Sequence, residues 1–336
     1  MRFMTKSNPQ PATTDAQSQD GVLVIDKPEG LTSHDVVARV RKILKTRRVG
    51  HTGTLDPFAT GALVICINRA TRLVQFLTGD DKEYMATMRL GFATDTGDLT
   101  GMQKTPVTDA RNITSDKVSE AFGHFRGYIK QIPPMYSAKK IGGVKLYEMA
   151  RRGEEIERAP VEVEIKELEL CDPAGDSSNK LAQTGAQPAP GEFSFRVVCS
   201  SGTYIRTLAE EIGGFLGVGA HLTRLRRIRA GNCSLGAAVT LEGLADLSQS
   251  GQVDRVMVSM VDAVAMPTLH VGEEGRKRVS HGRSIEHPIE HLGEGRAGAW
   301  APGALAKICD KKNQLIAIAE YDSSKILWHP RVVLIG

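Results

Sequence analysis

Residues 161–170, Val-Glu-Val-Glu-Ile-Lys-Glu-Leu-Glu-Leu, alternate apolar and polar side chains almost without fault. A period of two suits a strand with one face buried and the other wet, the usual condition of an antiparallel sheet. Such a strand needs partners, and residues 193–199 (Phe-Ser-Phe-Arg-Val-Val-Cys) have the pattern of one. Between them, 172–192 is rich in Gly, Pro, Ala, Ser and Gln and reads as a long low-complexity loop. Residues 21–26 and 62–67 are apolar runs of strand length, and 84–92 alternates with Tyr84, Ala86, Met88 and Leu90 on one face. Strands joined mostly as hairpins, with few clean βαβ units, predict an α+β fold: a largely antiparallel mixed sheet with flanking helices.

One helix is readable beside these strands. Thr32 or Ser33 can cap it, and Val36, Val37, Val40, Ile43 and Leu44 form an apolar stripe with Arg39, Arg41, Lys42 and Lys45 turned away. The next stretch, 49–61 (VGHTGTLDPFATG), is too rich in Gly, Pro and Asp for a regular element and is expected to be a loop. At 336 residues the chain has room for a large body and an appended module. From 262 onward, Gly and short alternating runs dominate, with 303–309 and 314–320 flanking the turn Asp310-Lys311-Lys312-Asn313. The expectation is a small β-rich C-terminal domain over 262–336.

Composition narrows the function classes. Hydrophobic residues are 41% and charged ones 24%, which excludes wholesale disorder, and no apolar run approaches membrane-spanning length. Residues 1–20 are polar with no apolar stretch, so they predict a disordered tail and not a signal peptide, and the protein is expected in the cytoplasm. Five cysteines at wide spacing fit neither a disulfide framework nor a zinc site, and predict reduced thiols. The net charge is only +4, but it is unevenly laid out. Residues 27–48 hold seven basic against two acidic groups, 126–152 seven against one and 199–231 five against two, so the rest is net acidic. Basic charge gathered into a few segments suits a protein that neutralises phosphates with one face, although any one segment could be a solvated helix face.

In the loop, Asp56 precedes Pro57, which steers it from helical geometry, and glycines at 50, 53 and 61 allow close backbone approach to a ligand. By itself this is also what an ordinary turn with an Asx-type bond looks like. His287-Pro288-Ile289-Glu290-His291 satisfies a zinc-peptidase pattern, but Pro288 and the glycines after it oppose the helix that pattern needs, so no metal site is expected.

The loop does not stand alone. G-H-T-G-T-L-D-P-F-A-T-G at 50–61 resembles the catalytic signature of the tRNA pseudouridine synthase B family. The resemblance continues in D-K-P-E-G at 26–30, in K-E-Y through L-G-F-A-T-D-T-G-D at 82–98 and in P-P-M-Y-S-A-K-K-I-G-G-V-K-L-Y at 133–147. It ends with G-T-Y-I-R-T and H-L-T-R-L-R-R within 202–227, so that it covers about residues 21–231 in family order.

This resemblance implies a catalytic domain over 21–255, with a mobile thumb at about 130–152, followed by a C-terminal module resembling a PUA RNA-binding domain. It implies isomerisation of uridine to pseudouridine at position 55 in the T loop of tRNA, with no cofactor because the bond change is redox-neutral. Asp56 takes the place of the family nucleophile that breaks the C–N glycosidic bond, by attack at C1′, attack at C6 or support of an elimination. Arg206 matches its cationic partner and Tyr84 the tyrosine that stacks on the base. Tyr204 and Leu225 match substrate-contacting positions, His51 the histidine beside the catalytic loop, and Lys27 with Pro28 a motif supporting that loop.

Since the target uridine is stacked in the T loop, the chemistry requires flipping it out. Lys139 and Lys140 in the thumb, with Arg224, Arg226, Arg227 and Arg229, would meet RNA phosphates. The T arm of tRNA is the implied partner, no membrane or protein partner is implied, and a monomer is expected. Two other classes fit the same basic face: an RNA chaperone or assembly factor without chemistry, and the relative that works inside a guide-RNA particle. If the C-terminal module only adds backbone contacts, deleting 262–336 should raise KM and spare kcat.

Overall fold

The computed structural model describes residues 20–137, 139–171, 189–286 and 300–335. The expected tail before Asp20, residues 172–188 of the insert and the His287–His291 pattern lie outside the described residues.

Alternation sets the main sheet. From one side its strands run Ala238–Val239, Gly21–Lys27, Thr60–Ile67, Ala220–Ala230, Lys82–Leu90, Glu192–Cys199, Val161–Leu170 and Gly127–Gln131. Neighbours are antiparallel except at two places: 60–67 runs parallel to 220–230, and the short 238–239 strand runs parallel to 21–27. The expected partnership of 161–170 with the strand beginning near 193 holds, antiparallel with one irregularity between Ile165 and Glu167. Tyr84, Ala86, Met88 and Leu90 all point into the same core, as their period of two requires. The loop reading of 49–61 needs adjustment at both ends. Val49–His51 forms a short strand against 65–67, and Thr60 already opens the next strand, which leaves 52–59 as the irregular segment.

Helix Ser33–Ile43 starts where Thr32 and Asp35 form a reciprocal capping box, and its Val36, Val37 and Val40 are buried. Helices Ser115–Phe125 and Ile205–Phe215 add Val118, Phe122, Leu208 and Ile212 to the same core. No helix among the described residues is long and apolar enough to cross a membrane.

The β-rich C-terminal segment forms a separate five-stranded sheet in the order 268–270, 305–309, 315–322, 327–333, 285–286, consistent with a PUA-like domain. The expected turn at 310–313 is present: Asp310 Oδ1 accepts from the N–H groups of Lys312 and Gln314, and Asn313 takes a positive φ of 58°. This sheet does not hang loosely. Cys309, Leu315, Ile318 and Leu334 share one apolar cluster with Val22, Val24, Val64 and Leu73 of the main body. Arg72 Nη1 donates to Val333 O at 2.5 Å, and buried Lys307 donates to the carbonyls of Val261 and Val264 at 2.8 and 3.0 Å.

Candidate functional site

Five separated pieces of chain meet at one cavity of about 410 Å³: the 52–56 loop, Thr78 with the 82–90 strand that follows it, residue 137 beyond the edge strand, the 200–206 turn, and the facing part of 220–230. Asp56, Tyr84, Ser137, Tyr204, Arg206 and Leu225 all line it. The alternation of 82–90 and 220–230 directs Tyr84 and Leu225 inward, 9% and 7% exposed. Gly61 lets this side close up: its φ is +98°, and a Cβ there would meet Arg227 O at 2.3 Å where 60–67 runs beside 220–230.

Asp56 is held from behind by its neighbours in sequence. Leu55 N donates to Ser33 Oγ at 2.9 Å, and Pro57 O accepts from Gly30 N at 2.8 Å and from Lys27 Nζ at 3.3 Å. Lys27 is wholly buried and donates also to Pro28 O and Leu31 O, at 2.9 and 2.7 Å. Burial lowers its ammonium to a pKa of about 8, and the nearby Asp56 charge opposes that fall. Ser33 thus holds the peptide before the acid and the D-K-P-E-G segment the residue after it, and neither engages the carboxyl itself.

Arg206 Nε stands 2.9 Å from Asp56 Oδ2. Its other nitrogens are taken: Nη1 donates to Thr96 O at 2.5 Å, Nη2 donates to Tyr136 O at 2.7 Å, and Asp98 Oδ2 is 3.9 Å from Nη1. The guanidinium is 5% exposed and the acid 32%, so the cation is sealed in the wall while the carboxylate opens to the cavity. Burial pushes the Asp56 carboxyl above the ordinary carboxylate range. Arg206 opposes that push without outweighing it, and the Asp98 charge adds to it. The Tyr84 phenol is likewise pushed up by burial, with Arg227 opposing.

The remaining positions separate into two groups. Arg227 reaches the cavity wall, but it is an internal brace, 1% exposed, donating from Nε to Ala62 O at 2.7 Å and from Nη2 to Gly53 O at 3.1 Å. Arg226 forms a two-pronged pair with Asp26 at 2.7 and 3.0 Å, and Arg229 pairs with Glu83 at 3.1 Å. The expected four-arginine face is therefore not one phosphate-facing surface. Successive residues of a strand point to opposite sides, and of the four only Arg224 is exposed.

His51 lies outside the cavity lining. Its ring is 5.4 Å from that of His34, and burial, with His34 and Arg227 nearby, lowers its pKa to about 4. Lys139 and Lys140 stand at a small hairpin, Lys140–Ile141 against Val144–Lys145, turned by Gly142 and Gly143 at positive φ.

Sequence reasoning gave no role to Asp98, Gln131 or Ser137. Asp98 backs the arginine. Gln131, wholly buried at the end of the edge strand, clamps both backbone groups of Tyr204, accepting from its N–H at 3.0 Å and donating to its carbonyl at 3.3 Å. Asp98 and Ser137 fall inside matched motifs, but no spacing rule ties them to an arginine more than 60 residues away.

Residues 41–205 match the model of the TruB family pseudouridylate synthase (N terminal domain), and 206–268 match that of the tRNA pseudouridylate synthase B C-terminal domain. The chain is 42% identical over 287 residues to the tRNA pseudouridine synthase B of Bacillus pumilus, covering 84% of this chain and 90% of that protein. It is 41% identical over 311 residues to that of Geobacter sulfurreducens, covering 92% and 95%. Among solved structures it is similar to a chain of a Cbf5-Nop10-Gar1 complex, with a TM-score of 0.69 and 28% identity over 94% of this chain and 85% of that one.

Proposed function

The chain belongs to the TruB family of pseudouridylate synthases, and we propose that it isomerises uridine to pseudouridine in tRNA, at position 55 of the T loop. The observation that carries this reading is the carboxylate of Asp56, open to a cavity and fixed by a sealed guanidinium 2.9 Å away. In the reaction the C1′–N1 bond breaks, C1′ bonds to C5, the C5 hydrogen leaves as a proton and N1 gains one, so atoms and charge balance without a cofactor. Asp56 acts on the nucleoside and Arg206 fixes and charge-balances it. Tyr84 and Leu225 bracket the base, whose extrusion from the T loop exposes the reacting bond.

The T arm is the part of tRNA that docks, with the hairpin carrying Lys139 and Lys140 closing over it as a thumb, and the C-terminal sheet adds RNA contacts. A body over about 21–255 and a PUA-like domain over 262–336, acting as a monomer in the cytoplasm, complete the reading. Tritium release from C5-labelled uridine in a tRNA transcript, with no accessory protein or guide RNA, tests it together with mapping of the modified position. Release at position 55 that vanishes in Asp56→Asn is the expected result. Near wild-type release from that variant would overturn the assignment. Tight tRNA binding without release would favour a chaperone, and release only with a guide particle would favour the third class.

A further inference from the structure

Among the described residues, five side chains hold a buried nitrogen or oxygen with no hydrogen-bond partner, and only one of these, the Ser137 hydroxyl, lines the cavity. The residue is 5% exposed. Its backbone is pinned on both sides, N–H to Met135 O at 3.0 Å and carbonyl to Tyr147 N at 3.1 Å, so position is fixed while Oγ is left over. Three other hydroxyls of the same wall are occupied. Thr78 donates to Val74 O at 2.7 Å, Thr203 to Ser200 O at 2.9 Å, and Ser200 Oγ accepts from Glu164 N at 2.9 Å. Lys82 Nζ is spent on the carbonyls of Thr78 and Asp80.

An unpaired buried hydroxyl carries a free-energy cost that folding alone would remove, by a bond or by an alanine. We propose that the Ser137 hydroxyl binds the Watson–Crick edge of the uracil extruded into this cavity. The proposal rests on the isomerase reading. Asp56 serves the glycosidic bond, and the Tyr84 ring and Leu225 serve the faces of the base, which leaves the edge bearing O2, N3–H and O4 to the polar groups of the wall, among which the Ser137 hydroxyl is buried and unpaired. A serine can donate to either oxygen or accept from N3–H. It also sits next to the residue whose carbonyl holds Arg206 Nη2, so the contact is built on the same support as the catalytic pair.

The test is Ser137→Ala in the full chain, assayed on tRNA and on a T-arm hairpin, with wild type alongside. The expected result is a fall of about tenfold in kcat/KM with a melting temperature unchanged or raised, because an unsatisfied polar group has been removed. Affinity for a hairpin whose target nucleotide is abasic should be the same for variant and wild type, since no base is present to contact. Wild-type kcat/KM in the variant, an equal loss of affinity for the abasic hairpin, or a parallel fall in melting temperature would each overturn the proposal. A wild-type chain that releases no tritium would instead overturn the isomerase reading.

Discussion

Arg206 Nε lies 2.9 Å from Asp56 Oδ2, yet the remaining guanidinium nitrogens are spent on two carbonyls from other segments, Thr96 and Tyr136. The acid's orientation is therefore fixed by three pieces of chain at once. A lysine carries the same charge, but its compact ammonium cannot hold that fork. In Arg206→Lys the expectation is a drop in kcat of about 10²-fold, the cost of loosened alignment, with tRNA affinity nearly kept. Single-turnover kinetics with an independent binding measurement separates the two.

The pH profile follows from the direction of the Asp56 shift. In the proposed reaction the working form is the anion, and burial raises the pKa, so activity should be lost on acidification at a pH above the ordinary carboxylate range. Arg206 opposes that rise. Removing its charge in Arg206→Gln should move the acid limb of log kcat further up in pH, besides lowering the plateau. An acid limb that stays in place would show that the guanidinium does not govern the proton on Asp56.

An alkaline limb is expected from Lys27. Its ammonium, with a pKa of about 8, grips Pro57 O and lies close enough to Asp56 for their charges to interact. As pH rises through that value the positive charge behind the acid is lost, so kcat should decline from about pH 8 upward. Lys27→Met should be slower at every pH and lack the decline. A decline that persists in Lys27→Met belongs to another group, with the Tyr84 phenol next to be tested.

Gly97 packs against the arginine that fixes Asp56 more directly than any motif suggests. It has a φ of +73°, and a Cβ there would stand 3.1 Å from Arg206 Cβ. Gly97→Ala carries the left-handed backbone cost, about 1 kcal/mol, and presses on the arginine. The expected signature is a melting temperature lowered by a few degrees and a kcat loss larger than that instability accounts for. Thermal melting beside initial rates at 25 °C measures both.

Much of the scaffold was legible because periodicity survives packing. The strand at 161–170, its partner after the insert and the capped helix at 33–43 all follow from local pattern. Asp56 was visible only as a turn residue until family motifs singled it out, since a carboxylate before proline carries no chemistry by itself. The arginines after Thr223 read in sequence as one phosphate-meeting cluster because proximity along the chain ignores alternation, which sends Arg227 inward to brace Gly53. Gln131 and Asp98 were out of reach for a different reason: their partners, Tyr204 and Arg206, are brought to them only by tertiary closure.

The C-terminal sheet gives the last prediction, and here the sequence expectation of a dispensable module meets a shared core. Cutting the chain after residue 261 removes Ala263, Val264, Cys309, Leu315, Ile318 and Leu334 from a cluster that continues into Val22, Val24 and Val64 beneath the main sheet. Each large aliphatic side chain laid open costs roughly 1.5–3 kcal/mol, and a few of them rival the entire stability of a typical domain, about 5–15 kcal/mol. Losing the module should therefore lower the melting temperature of residues 1–261 by on the order of 10 °C or more, with aggregation on warming. Activity on a T-arm hairpin should fall with the folded fraction and not through KM alone. A truncated chain that melts with the full-length protein and keeps its kcat would mean that the two sheets touch without sharing stability.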